Sequence, residues 1–532
     1  WNVLPSRVEG VIEERVGRLQ EELRELLRVA SVEGENFTVD ILSRVTEISE
    51  RALLKKLGEE LEKRHQLVTE GDVEKIGSKW IAHFRFGHAL FQQYLYNQLG
   101  RREKLMLHGT IAETLEELYA SQLELVTVQL AHHYRLAGEG EKAVEFAMRA
   151  ARRALRIGAS SEAIAHTDAI LELIQDFPPA QRKTIEIDAQ LIRGHASSVI
   201  KGYDSAETAA AFQRARSVAA TRPAQARTVT ILFGLWGRRI GNLDFAGGEA
   251  DALEMLRIAE SLDDTNARIH AHESLSLTYY HSGQLALAIE HAQKLMALVQ
   301  DASVPLYIEQ QGKDPRAFGL RSLALCEYIM GAREEALEHQ RMMEAFVAAS
   351  GHPFSIVVAQ TFGYLRGFID REPAVTLPEA RRSMERAQAV GSATYSTLPL
   401  MYIAWAEARA GDAAAIAKIE EGFRAFNSNG GRLHHSTYKL MTADAYGAHG
   451  RWSEALAAMT EAIDVADKHH EYLLIAELHR MHGDALRALG RTAEARGSYA
   501  MALERARQQG AGTFARRAEE ALLALDGAIV AN

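Results

Sequence analysis

Six glycines, Gly241, Gly283, Gly331, Gly411, Gly450 and Gly490, follow one another at steps of 42, 48, 80, 39 and 40 residues. If the step of 80 is two periods with one glycine lost near Asp370–Glu372, the chain repeats about every 40 residues. Seven positions before these glycines stand Gly234, Ser276, Ala324, Ala404, Ala443 and Gly483, all small. Five positions after them stand Ala246, Ala288, Ala336, Ile416, Ala455 and Ala495, small in five of six. A glycine allows the left-handed backbone of a tight turn, and a small side chain on each flanking helix lets the two backbones approach closely. The pattern predicts antiparallel helix pairs stacked into a solenoid, an all-α architecture with few long-range strand pairings.

Only 10 prolines occur in 532 residues, which suits a helical chain of this length. The stretches YYHSGQLALAIEHAQKLMAL, AYGAHGRWSEALAAMTEAI and ALRALGRTAEARGSYAMALERA carry the spacing most plainly. They resemble the tetratricopeptide repeat, in which a small residue, a turn glycine and an alanine fall at these offsets. The period exceeds that family's commonest length, which implies longer helices. LAHHYRLAGEGEKAVEFAMRAA and RIGASSEAIAHTDAILEL keep the offsets through Gly138/Ala143 and Gly158/Ala163, so repeats are expected from about residue 126.

The first hundred residues differ. RLQEELRELLRVASVEG and DILSRVTEISERALLKKLGEELEKR have helical spacing, whereas QLVTEG and KWIAHFRF are strand-like on either side of a Gly/Asp-containing connection. Helices, a hairpin and a further helix make a winged-helix layout. Together with LPSRVEGVIEERVGRL, FRFGHALFQQYLYNQLGRREKLMLHGTIAETLEEL and QLAHHYRLAGEGEKAVEFAMRAARRAL, this region resembles the winged-helix portion of STAND-class signalling ATPases. QGKDPRAFGLRSLALCEYIMG and SGHPFSIVVAQTFGYLRG resemble repeats of multidomain proteins in which a class III adenylate cyclase domain and an AAA-type ATPase come first. The predicted divisions are a remnant linker at 1–16, a winged helix at 17–100, a connector helix at 101–125, first helical repeats at 126–200 and tetratricopeptide-type repeats at 201–528. With no initial Met and no signal-peptide layout, the chain reads as the C-terminal portion of a longer protein.

In that family a histidine at the end of the winged-helix hairpin meets the nucleotide's phosphates, and the resemblance puts His88 of FRFGHAL in that place. Gly87 and Ala89 replace the family's Met and Asp, so an aspartate's role is not carried over. The competing reading of His88 is structural, a helix-start residue closing the hairpin. No G-x-x-x-x-G-K-[ST] motif is present, and Gly312-Lys313-Asp314-Pro315 reads as a loop with Asp314 as N-cap and Pro315 opening a helix. No cofactor is expected in this chain; ATP or ADP belongs to the whole protein.

The net charge of −10 gives no general pull toward nucleic acid, and Lys55, Lys56, Lys63 and Arg64 interleave with Glu59, Glu60 and Glu62. The histidine pairs His132–His133, His434–His435 and His469–His470 point about 100° apart on a helix, and no metal is expected. Cys326, in the apolar run LALCEYIM, reads as a small buried hydrophobe, and one cysteine suits a cytoplasmic location. No apolar run reaches membrane-spanning length.

Counting back from the turn glycines places Arg238, Glu273, Tyr280, Arg321, Tyr328, Tyr402, Trp405 and Asp444 toward an inner groove, the residue types that anchor peptide and protein partners. The alternative is that half of them are inter-repeat core. No catalytic set can be assembled, so enzyme activity is not expected of this chain. The expected function is the sensor region of a signal-transduction ATPase, with a protein, peptide or small-molecule inducer in the groove and an N-terminal nucleotide-binding or cyclase output under its control. A transcription regulator with a DNA-binding winged helix, and a plain interaction scaffold, are the alternatives.

Overall fold

The computed structural model describes residues 6–77, 79–219, 226–300, 303–428 and 432–530, and the chain divides into two compact units. Unit 1 holds Trp1–Ala150 with Ala169–Phe177, and unit 2 holds Ala151–Asp168 with Pro178–Asn532. Residues 1–5 of the segment read as a linker lie outside the described residues; beyond them runs the helix Ser6–Gly17, whose Ile12 and Val16 are buried.

Unit 1 carries the strands β1 (Asn36–Thr38), β2 (Val68–Ile76) and β3 (Lys79–Phe86) in one antiparallel sheet of order β1-β3-β2. The hairpin β2–β3 falls on the strand-like stretches of the sequence, and a bulge between Glu70 and Val73 shifts its register. Strand β1 was not expected. Three residues are too short to show alternation, yet Phe37 opposite Phe84 is wholly buried and its ring packs 5.2 Å from that of Phe86. The stretch with helical spacing over 40–64 breaks after Val39–Thr46, where Glu47 turns left-handed at φ 58°, and resumes as Glu50–Lys55 running into a π-helix over Lys56–Arg64. Leu26, Leu42, Leu57, Phe84 and Leu95 join these pieces in one core.

Unit 2 is a series of antiparallel helix pairs. Pro179–Lys201 packs on Ala206–Ala219, Ala226–Gly241 on Phe245–Ser261, Thr265–His281 on Leu285–Leu298, and Pro315–Met330 on Arg333–Ser350. Four more follow: Pro353–Ile369 with Pro373–Val390, Ala393–Arg409 with Ala415–Phe426, His435–Ala448 with Trp452–His469, and Ile475–Ala488 with Thr492–Gln509. The helix Gly512–Val530 closes the series. The step of 48 between Gly283 and Gly331 contains an inserted short helix, Val304–Gln311.

Five of the six repeat glycines, Gly283, Gly331, Gly411, Gly450 and Gly490, are left-handed, with φ from 72° to 114°. Gly241 is not. It ends its helix, and the left-handed residue is Leu243 at φ 63°. The register there is displaced by two: Ala246 is exposed, and Gly248, five after Leu243, takes the tight place, where a Cβ would come within 2.7 Å of Ile240. Gly241 serves close approach instead, since a Cβ would meet that of Asp204 at 2.8 Å. Where the glycine is lost, Arg371 takes the left-handed position at φ 62°.

The winding of unit 2 brings distant repeats together. The Arg432 and Leu433 amides donate to the Gly241 carbonyl at 2.7 and 3.2 Å, and the Leu473 amide reaches the His281 carbonyl at 3.3 Å. Thr513 Oγ1 donates to the Tyr328 carbonyl at 2.9 Å across 185 residues, and Arg517 Nη1 to the Ile369 carbonyl at 2.7 Å. The late repeats therefore lie on the turns of the early ones. Gly283 belongs to this closure, because a Cβ there would sit 2.8 Å from the Tyr472 carbonyl oxygen, whereas one at Gly450 would meet nothing within 4 Å. Both glycines are left-handed, so Gly450→Ala is expected to cost about 1 kcal/mol, and Gly283→Ala about 3 kcal/mol because strain and a backbone clash add. Urea unfolding of the two variants side by side measures the difference.

Candidate functional site

The first helices of six successive pairs and the segments entering them enclose a cavity of about 160 Å³ inside unit 2. Phe233 and Trp236 come from the helix Ala226–Gly241, Glu273 and Tyr280 from Thr265–His281, and Phe318 and Arg321 from Pro315–Met330. Phe354 and Tyr395 from the next two pairs, with His434 from the loop that docks on Gly241, complete the wall. Trp236 is held by donating Nε1–H to Thr278 Oγ1 at 2.9 Å.

Charge has been carried into this apolar interior. Lys313 and Glu273 form an ion pair with both side chains 2 % exposed. The Lys313 ammonium also lies 4.3 Å from the Phe233 ring centre and 4.4 Å from that of Phe318, so two aromatic faces solvate it. Burial pulls the lysine's pKa down, but the Glu273 carboxylate and nearby hydroxyls more than offset this and hold it above the ordinary value. Glu273 Oε1 takes the lysine, and Oε2 is buried without a direct hydrogen bond; the Tyr307 hydroxyl, 3.1 Å from His270 Nδ1, also bears on the Glu273 carboxylate. Arg321 Nε is likewise buried without a partner, and among the described residues no carboxylate lies in ion-pair range of its guanidinium. Its surroundings are neutral: His281 is driven well below its usual pKa by burial, and His434 to about 4.

The eight residues expected in the groove separate. Glu273, Tyr280 and Arg321 meet at the cavity. Tyr402 and Trp405 are fully buried against Phe368, with ring centres at 5.5 and 5.0 Å. Trp405 Nε1–H donates to Asp444 Oδ2 at 2.8 Å, and Asp444 is also paired with Arg371 and, at 3.6 Å, with Arg409. The Tyr328 hydroxyl donates to Asp370. Those four hold repeat to repeat. Arg238 is exposed on another surface beside Arg216 and Asn242, because the two-residue register shift at Gly241 moves it off the inner face. Lys313, Phe233, Trp236 and Tyr395 were not anticipated at a site; the one sign in the sequence was the long step of 48, whose inserted helix delivers Tyr307 and Lys313. Asp314 caps the helix opened by Pro315, accepting from the Arg316 amide at 3.0 Å, as its sequence suggests.

In unit 1, β3 ends at Phe86, the Gly87 amide donates to the Leu67 carbonyl at 2.8 Å, and His88 is the N-cap of the helix Ala89–Gln98. His88 Nδ1 accepts from the Leu90 amide at 3.2 Å, and the side chain is exposed. With Nδ1 accepting, the neutral ring carries its proton on Nε2, at a helix start. His133 faces His108 instead of solvent, Nδ1 to Nδ1 at 2.8 Å.

No protein-family model matches the chain. An uncharacterized protein of Rhizobium meliloti (strain 1021) is 24% identical over 537 residues, covering 97% of this chain and 50% of that protein. The chain thus spans about half the length of that curated relative. Among solved structures, a signal transduction ATPase with numerous domains from Pyrococcus horikoshii, which has a tetratricopeptide repeat sensor, aligns with 90% of this chain and 67% of its own at TM-score 0.50 and 14% identity. The fold is a tetratricopeptide-repeat solenoid. A Rap protein complexed with competence and sporulation factor aligns over 74% of this chain and 99% of its own at TM-score 0.48 and 11% identity. No helix among the described residues is long and apolar enough to cross a membrane.

Proposed function

We propose that this chain is the regulatory, sensing region of a cytoplasmic signal-transduction ATPase. A ligand inside the tetratricopeptide repeats biases a nucleotide-binding output, a cyclase among the candidates, that belongs to the whole protein. The observation that carries this reading is the walled cavity in unit 2, with buried charge whose hydrogen-bonding capacity is unspent. A scaffold has no use for such a chamber, since each unmet polar atom costs stability. The P. horikoshii protein, whose name includes a tetratricopeptide repeat sensor, supports the same assignment.

The output side rests on unit 1. Helices, the β2–β3 hairpin and the capped helix after it have the order of a winged helix, and His88 offers an exposed Nε2–H at the start of the helix Ala89–Gln98, a donor that suits a phosphate. A two-state switch then needs a ligand preference of a few kcal/mol between the states.

The test uses the full-length protein. Deleting the repeats is expected to change its affinity for ATP or ADP; an unchanged affinity overturns the sensor reading in favour of a scaffold. A salt-dependent DNA shift by the 532-residue chain would favour a transcription regulator instead. His88→Asn keeps a capping acceptor but removes the imidazole, so unfolding stability should hold while nucleotide affinity falls about tenfold. His88→Ala should lose the cap as well, about 1 kcal/mol. Equal nucleotide binding by His88→Asn and wild type would leave His88 a cap and nothing more.

A further inference from the structure

We infer that the cavity of unit 2 takes a small amino-carboxylate with an apolar side chain, an amino acid or the end of a very short peptide. This deepens the sensor reading above and rests on it. Two unspent groups set the chemistry. Arg321 presents a guanidinium with a buried, unpartnered Nε, and Glu273 of the same wall is paired with Lys313 instead. A planar guanidinium with free donors is the side chain best matched to a carboxylate. Glu273 Oε2 is an acceptor on a side chain 2 % exposed that also lines the cavity without a partner. It suits an ammonium or another strong donor.

Phe233, Trp236, Phe354 and Tyr395 line the same cavity and give the ligand's body an aromatic lining. A volume of about 160 Å³, in a cavity that is not fully enclosed, admits a small molecule whose ring or branched side chain fills the aromatic part. A helix or a folded segment is too large. The ligand that meets all three conditions carries a carboxylate, a donor and one apolar side chain. Lys313 supports the site indirectly: it occupies Glu273 Oε1 and leaves only Oε2 for the ligand. It is a positioning residue.

The experiment titrates the 532-residue chain with L-phenylalanine, L-leucine and L-tryptophan by calorimetry and thermal shift. Each is compared with its amide, which lacks the carboxylate, with its deamino acid, which lacks the ammonium, and with its alanyl dipeptide. At least one free amino acid is expected to bind, with its amide and its deamino acid each about tenfold weaker or worse. Arg321→Gln should bring the free amino acid down to the level of its amide. Tighter binding of the dipeptide assigns the site to a peptide end, tighter binding of the free amino acid to a metabolite. Both outcomes keep the inference.

If none of the three amino acids or their dipeptides binds, or the amides bind as tightly as the acids, the inference falls. The comparison of ligands on the wild-type chain stands even if Arg321→Gln fails to fold. Failure here is separable from failure of the sensor reading. Binding of an amino acid without any change in the full-length protein's nucleotide affinity would sink the sensor and keep the site. A change on deleting the repeats without binding would do the reverse.

Discussion

Replacing Lys313 by methionine is expected to lower the unfolding free energy of this chain by about 4 kcal/mol at pH 7.5. The substitution keeps the length of the stem against Phe233 and Phe318 but leaves the Glu273 carboxylate buried with no counter-ion. Glu273→Gln should cost less, about 2 kcal/mol, because the ammonium left behind still has two aromatic faces at 4.3 and 4.4 Å. The double variant Lys313→Met/Glu273→Leu should recover most of the loss, since removing a buried pair together spares the desolvation that made it expensive. Urea unfolding at equilibrium gives the double-mutant cycle. Additive effects of the two single substitutions would mean that the pair is solvated, and that the cavity is wetter than its wall implies.

The spacing of small residues made the repeats readable because it answers a local demand. Two helices joined by three or four residues cannot approach unless something small faces the neighbour, and that demand recurs with every pair. Ser276, Ala324, Ala404, Ala443 and Gly483 meet it, and at Gly483 a Cβ would lie 2.6 Å from the Tyr499 ring. A turn is a different demand, and any residue that tolerates φ > 0 can meet it at some strain; this is why Leu243 and Arg371 stand where the glycine count has 241 or a gap. An error of two residues at Gly241 was enough to turn Arg238 from the inside to the outside.

The cavity was hidden for a stronger reason. Its wall includes Leu433 and His434, brought there by the Arg432 and Leu433 amides donating to the Gly241 carbonyl, a pairing between positions that no periodicity relates. A counting rule finds the inner face of each repeat, which is how Glu273, Tyr280 and Arg321 were reached. It cannot say that the inner faces meet around one cavity, or that Lys313 on an inserted loop pairs with Glu273 of its wall. In unit 1 the helix-start role of His88 was one of two readings that seven residues allowed, and the Nδ1 bond from the Leu90 amide leaves the second reading to the free Nε2.

Unit 2 should lose several kcal/mol of net stability as the pH falls from 7.5 to 5.5. His195, His270 and His281 are buried, and burial depresses all three below 6.5, His195 to about 3 and the others well below the ordinary value. Each is neutral in the folded chain, whereas the unfolded chain protonates them near 6.5. The unfolded state therefore binds more protons below that pH, and stability complete above 6.5 drains away beneath it. Three such groups amount to about 4 kcal/mol over this interval, and His352, with His272, His434 and His479 each pushed down to about 4 by burial, acts in the same sense. Glu471 opposes them. It is buried under the start of the helix His435–Ala448, accepting from the His434 and Ser436 amides at 2.7 and 2.9 Å, yet desolvation raises its pKa to about 7. Its protonated form favours the fold, so its contribution is full below 4.5 and is lost as the pH rises through 7, returning about 2 kcal/mol on acidification. The balance gives two separable arms. Glu471→Gln should steepen the acid loss, and His195→Leu should reduce it by about 1.4 kcal/mol over the interval. His195 is the cleaner probe, because neither ring nitrogen has a partner and its ring lies edge-on to Phe212 at 5.3 Å, so an apolar replacement discards no hydrogen bond. A stability profile that is flat between pH 7.5 and 5.5 in wild type, and unmoved by His195→Leu, would mean that these histidines reach water and that the winding of the solenoid is open.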